Sequence, residues 1–507
     1  MSSLAFLLAA SCGESSSTAN APAADGPAAD GPAADAPAAD VPTADAPAGD
    51  APATADATGD AGLPDDLGVD AALPDASVPR ICERVSVSTA GVQTGGNSYF
   101  SGSAGVHRYV SGDGQFVTFQ SEGGGLVADD VDGWTDIFLR DRAAGAATTT
   151  RVSVTSAGMA GGGLSNLPSI SDDGRFVAFH SASATLVAAD GNGFEDVFVH
   201  DSVSQTTERV SLASDETEAN CGSFHASLSG DGRYVAFQSC ATNWSEVAGK
   251  TVGVSDVFVR DRTTGTTVLA SPHPLGTGPG QWDHHSGDPV LSADGRKVAF
   301  ESRSDTLVAK GGNASTSSEI YLRDLDAGTT EWISVHAPVA GQPDDSFHPS
   351  LSADGRFVAF ESLSTNQVAG DTNDDRDIFV RDRQLTVTER ANLTDADSEP
   401  QELGLTTCQG SQTPSISDDG RFVAFQSCAD NLVPADTNIV ADIFVRDRML
   451  ATTGRVTADD GTELNSSSGT PSLSADGQWV AFFSGASNLI VPDTNGSTYD
   501  FYLCPAP

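Results

Sequence analysis

Basic residues are scarce in this sequence, and lysine is the scarcest of them. The 507 residues include 26 Lys and Arg against 70 Asp and Glu, which gives a formal net charge of -44. The lysines are Lys250, Lys297 and Lys310. Proteins that bind nucleic acid need clusters of basic side chains to meet the phosphates. The composition therefore argues against nucleic acid, and against an anionic membrane surface, as a direct partner, and it leaves cations as candidate ligands.

Long apolar runs are also missing. No segment approaches the ~18 apolar residues that a membrane-spanning helix needs. A short apolar run, Leu4 to Ala10, is followed by Ser11 and Cys12, which resembles the cleavage site of a bacterial lipoprotein. The resemblance implies a signal peptide over residues 1–11 and a lipid on Cys12, although no basic residue precedes the run. It predicts a cell-envelope protein, an outer-membrane lipoprotein or a secreted one, that meets the membrane only through its lipid anchor. The alternative is a frayed apolar N-terminus without function.

Residues 12–78 are dominated by Ala, Pro, Asp, Gly, Ser and Thr. The segment has no apolar period, so it cannot bury enough surface to offset the entropy of ordering. Regular prolines and mutually repelling carboxylates keep such a chain extended. The composition predicts a disordered tether over residues 12–78.

Residues 79–507 contain a repeat that recurs seven times at intervals of about 60 residues. Each copy has an Asp-Gly pair between two short β-prone runs, the signature of a hairpin. A third strand resembling Asp377 to Asp382 and a fourth resembling Arg151 to Val154 follow. Four short strands per period indicate a blade of a β-propeller. We therefore expect an all-β fold, a seven-bladed β-propeller of four-stranded blades.

The two ends of the repeat region predict how the ring closes. The last period stops after its third strand, Asp500 to Cys504, whereas the region begins with an unpaired fourth strand, Cys82 to Val87. The N-terminal strand is expected to complete the last blade, which removes an exposed strand edge. This closure favours a monomer.

Six of the seven cysteines fall within the repeats. Their positions relative to the hairpins place Cys221 opposite Cys240 and Cys408 opposite Cys428, whereas Cys82 and Cys504 lie on neighbouring strands. We predict these three disulfides, and with them an oxidising compartment.

The segment Pro414 to Phe425, with Asp442 to Asp447 after it, resembles the WD40-like repeats of TolB-type propellers. The resemblance covers all seven periods and implies the fold. It does not carry over a partner, because TolB is six-bladed with an additional N-terminal domain.

Motifs of known enzymes are missing from the sequence: it has neither Gly-x-Ser-x-Gly nor His-Glu-x-x-His. Seven-bladed lyases that act on pectin fragments have a similar ring and hold a metal through His and Gln. The pair His284 and His285 resembles such ligands only weakly, because adjacent strand residues point to opposite sides. We therefore expect that the protein is not an enzyme.

A set of weak calcium sites is a further prediction, and no other cofactor is expected. Five loops before the third strand carry an acidic series, best developed at Asp371, Asn373, Asp375 and Asp377. Calcium prefers six to eight oxygen ligands, which such a turn can begin to supply. The alternative is that these side chains only cap the turn through backbone N–H groups.

Topology places these loops on one face of the ring, together with the long connections between blades. We call it the loop-rich face. Three tryptophans fall there, and exposed aromatic residues on loops favour recognition: Trp134, Trp244 and Trp282. The recurring Arg and Asp residues of the opposite face are instead interpreted as mutual ion pairs.

The first hypothesis is an envelope module that binds a protein or glycan through the loop-rich face. The alternatives are a polysaccharide lyase or hydrolase that uses the central channel, and a purely structural surface protein.

Overall fold

The structure is a computed structural model, and it describes residues 81–99, 108–143, 145, 147–188, 190–247, 253–272, 285–308, 317–336, 344–401, 410–434, 436–496 and 498–507. The predicted signal peptide over residues 1–11, the lipid site Cys12 and the tether over residues 12–78 lie outside these ranges, as do Trp282, His284 and Cys408. Within them the structure contains no helix long and apolar enough to cross a membrane.

The predicted fold is confirmed: the chain forms a seven-bladed β-propeller of antiparallel blades. Blade 1 contains β2 (Phe116–Ser121), β3 (Asp136–Asp141) and β4 (Thr148–Arg151). Blades 2 and 3 contain β5 (Ser165–Ile170), β6 (Phe176–Ser181), β7 (Asp196–Asp201), β8 (Thr206–Arg209), β9 (Ser223–Leu228), β10 (Tyr234–Ser239), β11 (Asp256–Asp261) and β12 (Thr266–Leu269). A 3-10 turn, Ser245–Val247, lies between β10 and β11.

The remaining blades repeat the same order from the channel outward. Blades 4 and 5 contain β13 (Ser286–Leu291), β14 (Lys297–Ser302), β15 (Glu319–Asp324), β16 (Thr329–Trp332), β17 (Ser346–Leu351), β18 (Phe357–Ser362), β19 (Asp377–Asp382) and β20 (Val387–Arg390). Blades 6 and 7 contain β21 (Gln412–Ile416), β22 (Phe422–Ser427), β23 (Asp442–Asp447), β24 (Thr452–Arg455), β25 (Ser468–Leu473), β26 (Trp479–Ser484) and β27 (Asp500–Pro505), with β1 (Glu83–Arg84) as the outer strand of blade 7.

The Asp-Gly hairpins form because each combines a side-chain cap with an obligatory glycine. In blade 6 the Ser417 hydroxyl donates to Asp419 at 2.6 Å, and the Asp419 carboxylate accepts the backbone N–H of Arg421 at 2.9 Å. Gly420 has a φ of 74°, and a Cβ there would lie 2.2 Å from the ring of Phe357 in the preceding blade. Glycine is therefore required both by the turn and by the approach of the neighbouring blade.

The core lies between the blades. The second and third strands are apolar on both faces, and rings such as Phe425 and Phe444 are fully buried, with centroids 5.9 Å apart. Burying one such side chain contributes about 1.5–3 kcal/mol. The absence of alternation in these strands thus reflects blades packed face to face.

The ring closes as predicted. Glu83 pairs with Leu503 and Arg84 with Tyr502, and a disulfide joins Cys82 to Cys504. The second predicted disulfide, Cys221–Cys240, is confirmed. Cys428 is also disulfide-bonded, and its predicted partner Cys408 lies outside the described residues. The ends of the propeller are thus tied together by both strand pairing and a covalent bond.

Candidate active site at the channel mouth

The central channel is closed at the Asp-Gly face by a ring of backbone hydrogen bonds. One residue of each hairpin donates its backbone N–H to the carbonyl oxygen of the corresponding residue in the next blade, at 2.9–3.2 Å. The seven residues are Gly112, Asp172, Gly230, Ala293, Ala353, Asp418 and Ala475. Because every donor and acceptor of this ring is used within it, the ring forms a tight floor.

The side chain of Arg108 occupies the channel at this floor. Its guanidinium forms an ion pair with Asp172 of blade 2 and another, at 2.5 Å, with Asp418 of blade 6. The cavity above the floor measures ≈ 40 Å³ and is lined largely by serine and aliphatic residues of the inner strands. That volume holds only water or an ion. A larger ligand therefore meets the channel from the loop-rich face.

At the loop-rich end, the inner strands carry a bulge that sets the lining of the channel mouth. In six blades one residue near the start of the inner strand, the third in five blades and the second in blade 6, has a positive φ of 46–53°. Non-glycine residues rarely adopt this conformation. In blades 4 to 7 and in blade 2 this residue precedes a proline, and the register of the strand shifts there. A bulge changes the direction of the side chains beside it. The residues at the bulges of the inner strands are Leu167, His225, Asp288, His348, Thr413 and Thr470.

The backbone N–H of a bulge residue is capped by a side chain from the preceding blade. Gln120, Gln238 and Gln426 accept these hydrogen bonds in three places, at 2.9–3.3 Å. In blades 4 and 5 the equivalent residues are Glu301 and Glu361, which accept from His348 and Thr413 at 2.7 Å. Glutamine already fulfils the structural role, so these two carboxyl groups add charge that the fold does not require.

The charged residues of blades 3 to 5 meet at this level. We call His225, Asp288, Glu301, His348 and Glu361 the channel-mouth cluster. Atoms of Asp288, Glu301 and His348 that can ligate a metal all lie within 4.8 Å of one another.

Two contacts orient the imidazoles of the cluster. Nδ1 of His225 contacts Asp288 Oδ1, and Nδ1 of His348 lies 3.1 Å from Glu361 Oε2. Arg376 Nη1 donates to the other oxygen of Glu361 at 2.8 Å. A carboxylate oxygen therefore lies against Nδ1 of each ring.

The environment pushes the pKa values of the two glutamates apart. Burial, reinforced by the charge of Asp288, raises the pKa of Glu301 to about 8. Burial also disfavours the charged form of Glu361, but the neighbouring His348 and Arg376 outweigh it and hold its pKa below the usual value. The pKa of His348 is raised to about 10, because the pull of Glu361 exceeds the effect of burial. Carboxyl groups with such divided pKa values are typical of acid–base sites.

The five acidic loops of the predicted calcium sites already contain an internal cation. The last residue of the fourth strand is arginine in each of these blades: Arg84, Arg151, Arg209, Arg390 and Arg455. In blade 6, Arg455 Nη1 lies 2.9 Å from Asp436, 3.2 Å from Asp442 and 2.9 Å from Glu463. We call these five assemblies the clamped loops. Blades 3 and 4 carry Leu269 and Trp332 at the same register position.

The best predicted calcium site is one of these clamped loops. Arg390 Nη1 lies 3.0 Å from Asp377 Oδ2 and 3.8 Å from Asp371 Oδ1. Asn373 Oδ1 accepts the backbone N–H of Asp375 at 3.2 Å, as a turn cap does. Burial nevertheless raises the pKa of Asp371 to about 6. Calcium binding here stays a prediction, and any ion has to share these oxygens with a guanidinium.

The tryptophans of the loop-rich face do not form one patch. Trp134 is 49% exposed, whereas Trp244 is 2% exposed and packs against Phe237 and Phe258, with centroids 6.2 and 4.9 Å away. The ring of Trp244 fills a gap beside the third strand of blade 3, so the expectation that it contacts ligand is corrected. Among the aromatic residues that the structure describes, Phe194 is also exposed, at 47%.

On the opposite face, the recurring arginines form the expected pairs with aspartates. Arg175, Arg233, Arg356 and Arg421 each bind the carboxylate at the end of their blade's third strand through two nitrogens. These contacts serve the blade, so the residues are not candidates for ligand binding.

No protein-family model and no curated protein match the chain. Solved structures do. An oligogalacturonate lyase in complex with manganese is 15% identical with a TM-score of 0.49, covering 85% of this chain and 95% of the lyase. TolB from Acinetobacter baumannii is 14% identical with a TM-score of 0.35, covering 78% and 81%. An acylaminoacyl peptidase from Pyrococcus horikoshii is 11% identical with a TM-score of 0.44, covering 80% of this chain and 51% of the peptidase. These likenesses concern the fold alone.

The expectation that the protein is not an enzyme is wrong as stated. Propellers that resemble this one include a lyase and peptidases. The expectation rested on the absence of sequence motifs, but the channel-mouth cluster draws its members from strands of three blades, over residues 225–361. A short motif cannot reveal groups that only the closure of the ring brings together. The sequence offered a weaker signal: two repeats have Glu at a position where three others have Gln, one has His and one has Phe.

Proposed function

We propose that the propeller is an enzyme whose substrate enters the channel mouth from the loop-rich face and undergoes acid–base chemistry at the channel-mouth cluster. The observation that carries this proposal is the group of two imidazoles and three carboxyl groups at the open end of a channel whose other end is closed. Two of these carboxyl groups replace glutamines that would serve the fold equally well.

His225 is the candidate proton-transfer residue. Its side chain is 23% exposed and that of Asp288 is 15% exposed, whereas Glu361 is fully buried. The Asp288 carboxylate holds Nδ1 and raises the pKa of His225 against the effect of burial. A partly exposed imidazole that is oriented by a carboxylate can accept and return a proton.

The lining favours a polar, hydroxyl-rich substrate. Imidazole, carboxyl, guanidinium and hydroxyl groups surround the mouth, and such groups bind hydroxyls by hydrogen bonds. Trp134 and Phe194 are exposed on loops of the same face, where flat rings can pack on a sugar. A glycan is therefore the substrate class we propose, and elimination and hydrolysis are the two reactions that proton transfer supports.

Turnover of an oligosaccharide panel tests this function. Products of elimination are followed by the ultraviolet absorbance of the new double bond, and products of hydrolysis by new reducing ends. We expect turnover by the wild type and at least a hundredfold loss in His225→Ala. Thr470→Val, at the equivalent bulge of blade 7, is the matched control and should retain activity. Equal turnover by His225→Ala and the wild type would refute the assignment.

A second candidate function is recognition of a protein or glycan without catalysis. Exposed apolar side chains recur on loops of the loop-rich face in blades 1, 2 and 6: Val131, Trp134, Phe194 and Ile439. Exposed apolar side chains on loops favour an interaction site. Trp134→Ala combined with Phe194→Ala should abolish capture of a partner from envelope extracts if this function holds, and His225→Ala should leave capture unchanged.

A cell-envelope location fits both functions. Two disulfides are formed and Cys428 takes part in another, and disulfides persist in oxidising compartments. The lipid on Cys12 and the tether over residues 12–78 would hold the propeller at the membrane surface. Mass spectrometry of the mature N-terminus tests the lipid directly.

A further inference from the structure

We infer that Asp288, Glu301 and His348 form a binding site for one divalent transition-metal ion at the channel mouth. The inference deepens the proposed function, because it concerns the same cluster, but it does not depend on turnover. It rests on the spacing of the ligand atoms, on the charge balance of the cluster and on an unpartnered hydroxyl beside it.

The spacing of the three residues suits a metal. Their ligand atoms lie within 4.8 Å of one another. Bonds of about 2.0–2.2 Å from one ion to nitrogen and oxygen ligands place those ligands at most about 4.4 Å apart, so only small side-chain movements are needed. The residues come from two blades that the disulfide-closed ring holds side by side. The site is therefore largely preformed.

The charges of the three ligands match a divalent ion. Glu361 is paired with Arg376 at 2.8 Å, so it is not counted among the ligands. Asp288 and Glu301 together carry two negative charges when ionised, and His348 ligates as a neutral imidazole. A divalent ion bound by these three groups gives a neutral buried site, which removes the repulsion between the two carboxylates.

The surroundings of His348 are those of a metal ligand. Glu361 Oε2 lies 3.1 Å from Nδ1, which fixes the ring and leaves Nε2 for the ion. Ligating histidines almost always hold their second nitrogen against a carboxylate or carbonyl in this way. The backbone N–H of His348 donates to Glu301 Oε1 at 2.7 Å, so two of the ligands also position each other.

Two bulge positions, Thr413 and Thr470, carry a buried hydroxyl without a hydrogen-bond partner in the described part of the chain, and the first of them lies beside His348. Thr413 is 5% exposed, and its hydroxyl has no hydrogen-bond partner within the described part of the chain. Thr413 occupies the bulge position next to His348, with a φ of 51° against 52°, so its side chain leaves the strand in the same direction. A buried hydroxyl is rarely left unsatisfied, and water bound to an ion at the mouth would satisfy it.

The donor set selects the class of ion. Two carboxylates and one imidazole are a mixed oxygen and nitrogen set, which suits Mn²⁺, Fe²⁺ and Zn²⁺ better than the all-oxygen preference of Ca²⁺. Three protein ligands leave positions for water or substrate, as in catalytic metal sites.

Calorimetric titration of the chelator-treated, full-length protein with MnCl₂ and with ZnCl₂, without substrate, tests the inference. We expect one ion per chain. Glu301→Gln should weaken binding at least tenfold, because it removes the charge of the ligand. It keeps the hydrogen bond to the backbone N–H of His348, since Gln accepts the equivalent bond at the bulges of other blades. Asp288→Asn should act in the same direction. Glu463→Gln, in a clamped loop, is the matched control and should leave affinity unchanged.

Two results would overturn the inference: no saturable binding by the wild type, or binding that Glu301→Gln leaves unchanged and Glu463→Gln abolishes. The outcome is separate from that of the proposed function. Metal binding without turnover of any oligosaccharide would leave the site standing and remove the enzyme proposal. Turnover by a protein that binds no metal would refute the metal site and leave the enzyme proposal standing.

Discussion

Buried carboxylates occur in two regions of the loop-rich face, and the protein treats them differently. In the clamped loops each pair of aspartates shares an arginine from the same blade, as Asp436 and Asp442 share Arg455. In the channel-mouth cluster, Asp288 and Glu301 face histidines, whose charge depends on protonation. The counter-ion of the first region is a guanidinium, which stays charged and has no lone pair for a metal. The counter-ions of the second region are imidazoles, which can lose a proton and then ligate an ion. A metal ion is therefore expected in the second region rather than in the first.

The distribution of arginine around the ring sharpens this contrast. Blades 3 and 4, which contribute His225, Asp288 and Glu301, carry Leu269 and Trp332 where the other five blades carry the clamping arginine. Trp332 Nε1 donates to Glu319 at 3.0 Å in place of a guanidinium. The blades that depart from the repeat are thus the ones that supply most of the candidate site.

The largest expected effect comes from removing a clamp. Arg455→Met leaves Asp436 and Asp442 buried without their counter-ion, and breaking a buried ion pair in this way costs about 3–5 kcal/mol. Urea unfolding measures the loss. Arg421→Met is the matched control, because its pair with Asp447 on the opposite face is 34% exposed on the arginine side and such pairs contribute at most about 1 kcal/mol.

Adding Asp436→Asn and Asp442→Asn to Arg455→Met should restore most of the lost stability, because the triple variant no longer buries uncompensated charge. Equal unfolding free energies for Arg455→Met and Arg421→Met would show that the clamps are no more than surface pairs.

The same type of charge removal should have little effect on stability at the channel mouth. Glu301→Gln keeps the hydrogen bond to the N–H of His348, as Gln120 does for Leu167, so we expect the unfolding free energy to change by less than about 1 kcal/mol. A loss comparable to that of Arg455→Met would mean that Glu301 serves the fold rather than a ligand.

The smallest effect concerns acid stability of the exposed pairs on the opposite face. Hydrogen bonding to Arg233 lowers the pKa of Asp261 to about 2, below the ~3.9 of an unfolded aspartate. The stabilising contribution is therefore complete above pH ~4 and is lost as the pH falls toward 2. Thermal unfolding between pH 5 and pH 2 should show a shallower acid slope in Asp261→Asn. Parallel curves for the two proteins would contradict this assignment.

The repeat made most of the fold predictable. Seven Asp-Gly hairpins, strands apolar on both faces and a displaced fourth strand indicate a closed propeller without any other information. Exposure was less predictable. Trp134 and Trp244 both lie between the second and third strands of their blades, but Trp244 is buried because it packs against Phe237 and Phe258. The channel-mouth cluster was missed because the bulge at His225, Asp288 and His348 reorients side chains in a way that strand alternation does not predict.

Anomalous diffraction from crystals soaked in MnCl₂ tests the comparison most directly, since it locates the ion in both regions at once. The account predicts one strong peak between Asp288, Glu301 and His348, and no comparable peak in the clamped loops. A peak among Asp436, Asp442 and Glu463, with none at the channel mouth, would contradict it.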